Sequence, residues 1–425
     1  MKKKKFITTA LGCRTNQYEA QAIHDQLESL GMSRAAPGEK ADICVVNTCT
    51  VTASADSSSR HEIRRLIREN PGAEVVVTGC FADSHPDQVK SIEGVSHLVP
   101  NKSKEELIQT LFPDLDTYPE FEIQRFDAHT RAFLKVQDGC NSFCTYCIIP
   151  YVRGRSRSRR LDEIVGEAKS LLKNGFKEIV LTGINIGDFD GAPKEGEEPA
   201  TLADLVRAID PLPGLERLRI SSIDPDEVDD DLLAAVMEGK KTSPSMHIVL
   251  QSGSNVVLKR MNRKYTRQMF FDTVQRLKNS CPDFTFTTDI IVGFPGETEQ
   301  DFEETLDVMN EVAFSKVHMF PYSDRPRTRA NLYPNKVPKK VIQERKNRLL
   351  ERAERMSYQL RNQYVGRRMK VLTESVVKDD PTLISGHTDN FLEVVFPKEG
   401  YTNNEIVEVE LIRNLPHALE GRVVS

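Results

Sequence analysis

Three closely spaced cysteines are the residues of this chain best suited to chemistry. Cys140, Cys144 and Cys147 follow the spacing C-x3-C-x2-C, and no fourth cysteine or histidine lies close to them in the sequence. A closed structural metal site takes four ligands, and a 4Fe–4S cluster is ordinarily held by four thiolates. Three thiolates can hold such a cluster and leave one iron open to a substrate or cofactor. The spacing therefore favours a catalytic cluster over a zinc knuckle or a redox cysteine pair.

A second set of three cysteines follows three predicted strands. Strands are predicted at 5–11, 42–46, 74–78 and 95–99, with helices at 18–30 and 58–69, and this alternation predicts a doubly wound parallel sheet. Cys13, Cys49 and Cys80 come directly after the first three of these strands. Because ligands gather at the carboxyl ends of parallel strands, the three thiols can converge on a second cluster with its own open iron. The alternative is that these cysteines follow the three strands by coincidence and bind no cluster.

The two remaining cysteines carry no predicted chemistry. Cys44 lies in an apolar strand and is most simply a small buried hydrophobic residue, and Cys281 ends a helical stretch. Exposed clusters and free thiols are typical of a reducing cytoplasm.

Length and composition indicate a soluble protein of several domains. The chain has 425 residues, of which 39% are hydrophobic and 28% charged, which predicts two or three globular domains. No apolar run is long enough to span a membrane. The first thirteen residues have the basic start and Leu-Gly-Cys end of a lipoprotein signal, but their apolar stretch is shorter than the ~7–15 residues that a signal needs. We expect a strand there instead.

The middle of the chain predicts a barrel. After a linker at 115–130, strands are predicted at 133–137, 178–182, 218–222, 246–251, 284–292 and 316–320, with helices such as 161–174 between them. Six such units predict a partial or full barrel within residues 130–335. Cys140 follows the first of these strands, at the carboxyl-terminal mouth where barrel enzymes carry out their chemistry.

The carboxyl-terminal part of the sequence consists of a basic segment followed by an acidic one. Residues 336–370 carry twelve basic against three acidic residues, and they include a predicted long helix at 338–364. Residues 366–425 predict a small β-barrel with strands at 369–374, 391–396 and 406–412, and residues 371–425 hold only four basic against ten acidic residues. Five arginines also fall within 153–160. These basic runs indicate either an RNA surface or simply a solvated face.

The motifs together resemble the radical S-adenosylmethionine (SAM) methylthiotransferases, in all three domains and in the same order. The phrases that carry the resemblance are Leu11-Gly-Cys13-Arg-Thr-Asn-Gln-Tyr-Glu19, Asn47-Thr-Cys49-Thr-Val-Thr52, Thr78-Gly-Cys80, Gly139-Cys140-Asn-Ser-Phe-Cys144-Thr-Tyr-Cys147-Ile-Ile-Pro150, Arg153-Gly-Arg-Ser-Arg-Ser-Arg159, Leu250-Gln-Ser-Gly-Ser254 and Asp289-Ile-Ile-Val-Gly-Phe-Pro-Gly-Glu-Thr298. Within the family, the phrases at 16–19 and 129–136 are most similar to the branch that acts on N6-threonylcarbamoyladenosine in tRNA.

The resemblance implies a fold and a domain plan. Residues 1–115 correspond to the amino-terminal cluster-binding domain, with a doubly wound parallel sheet, and residues 130–335 to the radical SAM core, a (βα)6 partial barrel. Residues 336–365 correspond to a basic connecting helix. Residues 366–425 correspond to a TRAM-like small β-barrel, the type that is assumed to help bind RNA. Here that barrel is acidic, so either its contacts with RNA are few or the basic helix before it provides them.

The resemblance also implies a reaction with two 4Fe–4S clusters and two molecules of SAM. One SAM gives its methyl group to a sulfur on the Cys13, Cys49 and Cys80 cluster. The other is cleaved at the second cluster to a 5′-deoxyadenosyl radical, which removes hydrogen from C2 of the modified adenosine so that the methylthio group can be attached. The expected partners are a tRNA anticodon stem-loop and a reducing electron donor such as flavodoxin or ferredoxin, with no membrane.

Family positions suggest further site residues. The candidates for contacts with SAM are Tyr146, Gly183, Ser221, Gln251 and Gly293. Each has a structural alternative, since either glycine can simply permit a turn at the end of a strand. The candidates for contacts with RNA phosphate, or with the SAM carboxylate, are Arg153, Arg155, Arg157 and Arg159.

Three other functions fit parts of the pattern. The same chemistry could act on N6-isopentenyladenosine in tRNA or on an aspartate of a ribosomal protein. A protein of another class, a non-catalytic iron–sulfur RNA-binding or redox-sensing protein, is the third. Two open irons argue against that class, because an open iron is a liability unless it is used.

Overall fold

The amino-terminal part of the chain alternates strands and helices as its sequence predicts. A computed structural model describes residues 3–124 and 130–424, so 125–129 of the predicted linker and the first residue of the phrase 129–136 lie outside the described residues. The strands are β1 (Lys5–Ala10), β2 (Ser33–Arg34), β3 (Ile43–Thr48), β4 (Glu74–Gly79) and β5 (His97–Val99). The helices are α1 (Arg14–Ser29), α2 (Ala53–Glu69), α3 (Cys80–Ser84), α4 (Pro86–Lys90) and α5 (Leu107–Leu111).

These strands form one parallel sheet in the order β2-β1-β3-β4-β5. All of β3 is buried because helices cover both faces of the sheet, which explains its unbroken apolar run. Helix α2 begins where the Thr52 hydroxyl accepts a hydrogen bond from the amide of Ala55, and it turns Ile63 and Leu66 inward. The predicted doubly wound sheet is confirmed.

The central part contains the predicted succession of strands and helices. Its strands are β6 (Arg131–Lys135), β7 (Gln137–Asp138), β8 (Arg157–Ser158), β9 (Glu178–Thr182), β10 (Arg217–Ile220), β11 (Ser222–Ile223), β12 (Ser245–Ile248), β13 (Thr285–Val292) and β14 (Lys316–Pro321). Its helices are α6 (Ile149–Val152), α7 (Leu161–Lys173), α8 (Leu202–Ile209), α9 (Asp230–Glu238), α10 (Asn255–Arg260), α11 (Arg267–Ser280) and α12 (Glu299–Val312).

The parallel strands of this part curve into an open barrel. One sheet has the order β10-β9-β6 and the next has β11-β12-β13-β14, and only Ser221 separates β10 from β11. The predicted strand at 218–222 is therefore a strand with a break at its mouth end. β7 and β8 form a separate antiparallel pair that frames the loop of the first cysteine set.

The carboxyl-terminal part is a long helix followed by a closed five-stranded barrel. The helix is α13 (Lys339–Asn362), and the strands are β15 (Arg368–Val377), β16 (Asp380–Thr388), β17 (Glu393–Pro397), β18 (Ile406–Asn414) and β19 (Leu419–Val423). The barrel closes in the order β15-β16-β17-β19-β18, which confirms the predicted architecture. The sequence prediction missed β16 and β19, because the proline and glycine in β16 and the glycine in β19 obscure their alternation.

This small barrel covers the amino-terminal ends of the central strands. Arg217, at the start of β10, donates hydrogen bonds to the carbonyl oxygens of His387 (2.8 Å) and Lys370 (2.7 Å). Arg219 donates to the carbonyls of Thr388 (2.9 Å) and Asp389 (2.8 Å). The barrel therefore packs against the end of the central strands that lies away from the cysteine loop. None of the helices within 3–124 and 130–424 combines the length and apolarity needed to cross a membrane.

Gly79 provides a test of the packing between β3 and β4. Its φ is +98°, and a Cβ atom there would lie 2.4 Å from the backbone nitrogen and oxygen of Thr48. We expect Gly79→Ala to lower the free energy of unfolding by about 3 kcal/mol, because the cost of a left-handed backbone and the cost of overpacking add. Gly72→Ala is the matched control, with φ +87° and no atom within 4 Å of the added carbon. Its expected loss is about 1 kcal/mol. Urea unfolding measures both, and equal losses would contradict the close packing.

Candidate active site

The first cysteine set lies on a loop between β7 and α6 that neighbouring segments hold from both sides. The Thr145 amide donates to the carbonyl of Met261 (2.9 Å), and the Thr145 hydroxyl donates to the carbonyl of Arg260 (2.9 Å). Gly139 begins the loop with φ +71°, where a Cβ would lie 2.0 Å from the Arg155 carbonyl oxygen. The loop is thus held between the arginine run and the segment after α10.

The three thiols of this loop lie close to one another. Burial and the neighbouring Cys144 raise the pKa of Cys147 to about 12, and burial also raises the pKa of Cys140. The Arg263 guanidinium lies 3.1 Å from the sulfur of Cys144. Burial and the neighbouring sulfurs disfavour three free thiolates here, and a bound cation such as an iron cluster would stabilise them.

The second set also converges, as the strand ends predict. Cys49 follows β3 directly, Cys80 begins α3 after β4, and Cys13 precedes α1. Gly12, with φ +87°, lies so close to Cys49 that an added Cβ would be 2.6 Å from its sulfur. Burial, with smaller contributions from the thiols of Cys80 and Cys13, raises the pKa of Cys49 to about 12.

One cavity lies beside the first set. Its volume is about 330 Å³, and its walls include all three thiols of the first set together with Val51 and Thr52, which follow Cys49. The other lining residues are Ser142, Tyr146, Ile148, Ile149, Ile184, Asn185, Ser222, Asp224, Val249, Gln251, Arg263, Asp289, Ile291, Phe320, Pro321, Tyr322 and Ser323. The cavity therefore lies at the mouth of the barrel. Cys13, Cys49 and Cys80 are not part of its wall, but Cys80 packs against the wall residues Ile148 and Ile149.

The structure divides the five candidates for contacts with SAM. Tyr146 and Gln251 line the cavity, whereas Gly183, Ser221 and Gly293 are not part of its wall. A Cβ at Gly183 would lie 2.6 Å from Ile186, and one at Gly293 would lie 2.4 Å from Ile342, so close packing accounts for both glycines.

Two buried polar atoms remain unsatisfied near the strand ends. Within the described ranges, the Gln251 side-chain oxygen and the Ser221 hydroxyl have no hydrogen-bond partner. A buried polar group without a partner is unusual. Of the two, the Gln251 side chain lies in the cavity wall, where its oxygen is available to a bound ligand. The three thiols and this unsatisfied amide fit a cluster with SAM.

Sequence reasoning missed several residues of the wall. Asn185 donates to Glu227 (2.7 Å), and burial with the nearby Asp224 raises the pKa of Glu227 to about 7. Arg263 forms an ion pair with Asp224 and lies over the ring of Tyr265. None of these residues belongs to a closely spaced motif, because they come from separate strand ends that only folding brings together.

The arginine run after the loop has two kinds of member. Arg153 is fully buried, and its guanidinium binds Glu19 and Asp138 at 2.9 Å each. Contact between Arg153 and RNA or SAM was therefore a wrong expectation, because internal carboxylates already occupy this arginine. Arg159 is largely buried too and forms an ion pair with Glu167 at 2.5 Å.

The other two arginines of the run remain exposed. Arg155 lies with its guanidinium carbon 4.3 Å from the ring centroid of Phe143. Arg157 forms an ion pair with Asp138 at 2.8 Å while about half of its side chain stays open. Only Arg155 and Arg157 of the four candidates have surface to offer to a phosphate.

A buried ionic network fixes the two cysteine sets relative to each other. The Glu19 carboxylate on α1 accepts hydrogen bonds from Lys104 (2.6 Å), Arg153 (2.9 Å) and Lys135 (3.2 Å). The Asp138 carboxylate, which precedes the first cysteine loop, also binds Lys135 and Arg153. Five charged residues from both parts of the chain therefore meet with little exposure to water.

The same network holds the ends of β1 and β3. The Asn16 side-chain oxygen accepts from Arg153 (2.5 Å), and its nitrogen donates to the carbonyls of Leu11 (2.6 Å) and Thr48 (3.1 Å). Burial alone would raise the pKa of Glu19, but Arg153 and the two lysines outweigh it and hold that pKa well below its usual range. The carboxylate is therefore charged in the folded protein.

Family comparisons agree with this geometry. Residues 134–309 match the Radical SAM superfamily, and residues 5–100 match a family described as "Uncharacterized protein family UPF0004". The first match contains Cys140, Cys144 and Cys147, and the second contains the other three cysteines of the site.

Curated relatives match the chain from end to end. The "Threonylcarbamoyladenosine tRNA methylthiotransferase MtaB" of Chlamydia pneumoniae is 48% identical over 99% of this chain and 98% of that protein. The protein of the same name from Bacillus subtilis (strain 168) is 37% identical over 95% of this chain and 92% of its own length. The "tRNA-2-methylthio-N(6)-dimethylallyladenosine synthase" of Alkaliphilus oremlandii is 34% identical over 100% of this chain and 93% of its own length.

Solved structures share the fold. The radical S-adenosylmethionine methyltransferase TsrM from Kitasatospora setae has a TM-score of 0.57 at 15% identity, over 78% of this chain and 77% of that chain. The cobalamin-dependent S-adenosylmethionine radical enzyme OxsB has a TM-score of 0.51 at 13% identity, over 84% of this chain and 58% of that chain. At these identities the likeness concerns the fold alone.

The network around Glu19 predicts a large stability loss from one substitution. We expect Glu19→Gln to lower the free energy of unfolding by about 3–5 kcal/mol, because it leaves buried cations uncompensated. Glu28→Gln, on the exposed face of the same helix, is the control and should cost less than about 1 kcal/mol. Denaturant unfolding measures both, and equal losses would contradict the network's role.

We also expect the difference in stability between wild type and Glu19→Gln to depend on pH. The depressed pKa of Glu19 stabilises the fold at pH values above the unfolded-state value of about 4.3, and this contribution is lost as the pH falls through the folded-state value. The difference in the free energy of unfolding between wild type and Glu19→Gln should therefore become smaller at acidic pH, which denaturant unfolding at several pH values measures.

Proposed function

The chain belongs to the radical SAM methylthiotransferase family, and from that membership we propose that it converts N6-threonylcarbamoyladenosine beside the tRNA anticodon to its 2-methylthio derivative. The observation that carries the proposal is the 48% identity, over nearly the whole of both chains, to a threonylcarbamoyladenosine tRNA methylthiotransferase. The cavity beside the first cysteine set supports it, because its wall residues Ile148 and Ile149 also pack against Cys80 of the second set, and the reaction needs both sets near one substrate carbon.

The proposal assigns the cofactors to the two sets. Cys140, Cys144 and Cys147 hold a 4Fe–4S cluster whose open iron binds SAM, with Tyr146 and Gln251 against the same cavity. The other three cysteines hold the auxiliary cluster. When bound, these cofactors supply the one-electron cleavage of SAM and the sulfur for transfer.

The chain's own residues then have positioning roles. The walls of the cavity exclude water from the reacting carbon, and the ionic network keeps both cysteine sets at a fixed separation. Neither the exclusion of water nor the positioning of the cysteines needs a side-chain acid or base. Gly183, Ser221 and Gly293 would act from behind the wall, by shaping the strand ends next to the wall residues Ile184, Ser222 and Ile291.

The remaining parts complete the proposal. Residues 1–115 form the cluster-binding domain, 130–335 the radical SAM core, 336–365 the basic connecting helix and 366–425 a TRAM-like barrel. The cysteines of each set can hold a cluster only when they are reduced, which fits a cytoplasmic enzyme. The electron donor would be a protein such as flavodoxin or ferredoxin. A single-stranded anticodon loop can present its base to the cavity.

Two other substrates are the competing candidates. N6-isopentenyladenosine in tRNA has support from the 34% identity to the dimethylallyladenosine synthase, although that identity is lower than for the threonylcarbamoyl relatives. An aspartate of a ribosomal protein has no comparable observation in its favour, and the exposed arginines favour RNA.

The deciding experiment is nucleoside mass spectrometry. Threonylcarbamoylated tRNA is incubated anaerobically with cluster-reconstituted protein, SAM, sulfide and a reductant. We expect a new adenosine derivative heavier by one methylthio group. SAM cleavage to 5′-deoxyadenosine without this product would reject the proposed substrate and direct the same assay to the two competing candidates.

Three cysteine variants sharpen this experiment. Cys144→Ala should abolish both 5′-deoxyadenosine and the methylthio product, whereas Cys80→Ala should keep 5′-deoxyadenosine and lose the product. Cys281→Ala, a free cysteine outside both sets, is the control and should keep both. A product made by Cys80→Ala would exclude a role for the second set in sulfur delivery.

Arg155 tests the RNA surface. We expect Arg155→Gln to weaken tRNA binding several-fold and to reduce the slope of log affinity against log salt by about one, since one phosphate contact is lost. Arg422→Gln removes the same charge from the acidic barrel, where Arg422 pairs with Glu410, and should leave the slope unchanged. Titration of tRNA at several salt concentrations measures both, and equal slopes for wild type and Arg155→Gln would remove this arginine from the RNA surface.

A further inference from the structure

Tyr151 and Arg327 form an exposed stacked pair near the mouth of the central barrel. The guanidinium carbon of Arg327 lies 5.0 Å from the ring centroid of Tyr151. Arg327 is exposed, and 40% of Tyr151 is open to solvent. With the residues that the structure describes, the Arg327 side chain makes neither a hydrogen bond nor an ion pair. Its charge and its hydrogen-bond donors are therefore available to a partner.

Two anchors fix the segment between β14 and α13 that carries the arginine of this pair. Before it, the Arg325 guanidinium donates to the Asp56 carboxylate (2.6 Å) and to the Thr50 carbonyl (3.1 Å), both in the amino-terminal part of the chain. After it, the Ala330 amide donates to the carbonyl of Thr145 in the first cysteine loop (2.8 Å). The stacked arginine is thus held at a defined place between the amino-terminal sheet and the cysteine loop.

Both segments of the pair also contribute residues to the cavity wall. Tyr151 belongs to α6, whose first residue, Ile149, lines the cavity, and Ser323 of the other segment lines it as well. Two further wall residues, Val51 and Phe320, have 48% and 39% of their surface exposed. The rim of the cavity therefore combines exposed apolar side chains with the stacked cation.

Single-stranded RNA is the partner that fits this combination best. Bases splayed out of a loop stack on aromatic rings and on the planar guanidinium of arginine. The edge of the same guanidinium offers donors to a phosphate oxygen. An acidic protein, such as an electron donor, would use the positive charge but has no need of a planar stack beside a cavity.

We propose that Tyr151 and Arg327 form a platform on which a nucleotide adjacent to the modified adenosine stacks while that adenosine occupies the cavity. The inference rests on the proposed function, because it assigns the rim to an RNA substrate. The target base enters the cavity only after it leaves the stack of the loop, and its neighbour then loses a stacking partner. The platform replaces that partner and thereby favours the splayed conformation.

The test uses anticodon stem-loops that report stacking at one position. 2-Aminopurine, whose fluorescence falls when it stacks, replaces the nucleotide on the 5′ or the 3′ side of threonylcarbamoyladenosine. Binding to the cluster-reconstituted wild type should quench one of the two probes. Tyr151→Ala should abolish that quenching and weaken binding by about 5- to 100-fold. Tyr151→Phe keeps the ring and should preserve both effects, whereas Arg327→Lys keeps the charge without the planar group and should lose most of the quenching.

An equally exposed tyrosine provides the matched control. Tyr358 on α13 has 42% of its surface open, and it lies beside the acidic small barrel, where Asn414 donates to its carbonyl (2.8 Å). Tyr358→Ala should therefore bind the stem-loop and quench the probe as wild type does.

The other outcomes separate the platform from its alternatives. Absence of quenching at both positions in wild type, or equal binding by wild type and Tyr151→Ala, would overturn the inference. A fall in RNA-independent 5′-deoxyadenosine formation in Tyr151→Ala would assign the ring to support of the cysteine loop instead. Loss of product in that variant with flavodoxin as reductant, but not with dithionite, would assign the pair to the electron donor. Quenching in wild type without any methylthio product would support the platform and reject the proposed substrate.

Discussion

The buried charge of Glu19 is the constraint on which the site depends. A carboxylate on the first helix lies away from water only because Arg153, Lys104 and Lys135 surround it, and each of these cations depends on it in return. Arg153 follows the first cysteine loop, Lys135 ends the strand before it, and Lys104 follows the last strand of the first sheet. Loss of one member leaves the others charged and buried, so the two parts of the chain can pack in only one relative position.

Such a network fixes the relative positions of its residues more clearly than it increases the stability of the fold. Apolar side chains of similar volume often stabilise a protein as well as a buried ion pair does, because ions lose their hydration. Hydrogen bonds to fixed partners have directions that apolar contacts lack. Here those directions hold the ends of β1 and β3 through Asn16 and hold the cysteine loop through Asp138. The second cysteine set is consequently held in a fixed position relative to the first set and its cavity.

The rest of the molecule is arranged around the two ends of the central barrel. The carboxyl ends of its strands carry the cysteines, the cavity and the exposed Arg155. The amino ends are covered by the acidic small barrel, which Arg217 and Arg219 hold through backbone carbonyls. Within the small barrel these arginines bind backbone carbonyls only, and their carboxylate partner is Glu178 of the central part, so the acidity of the small barrel lies on its remaining surface. The basic surface therefore lies at the cysteine end and on helix α13.

The sequence by itself determined the classes of element and the six cysteines. Strand and helix periodicity reflect local burial, and the strand ends in a parallel sheet necessarily share an edge, so the order of the elements alone brings Cys13, Cys49 and Cys80 together. Tertiary structure alone decided which charges are internal. Arg153 and Arg155 are two residues apart and chemically alike, yet one is buried against Glu19 and the other is open. Partners more than a hundred residues away decide that difference, and no local pattern encodes them. The wall residues Arg263 and Asp224 could not be predicted for the same reason.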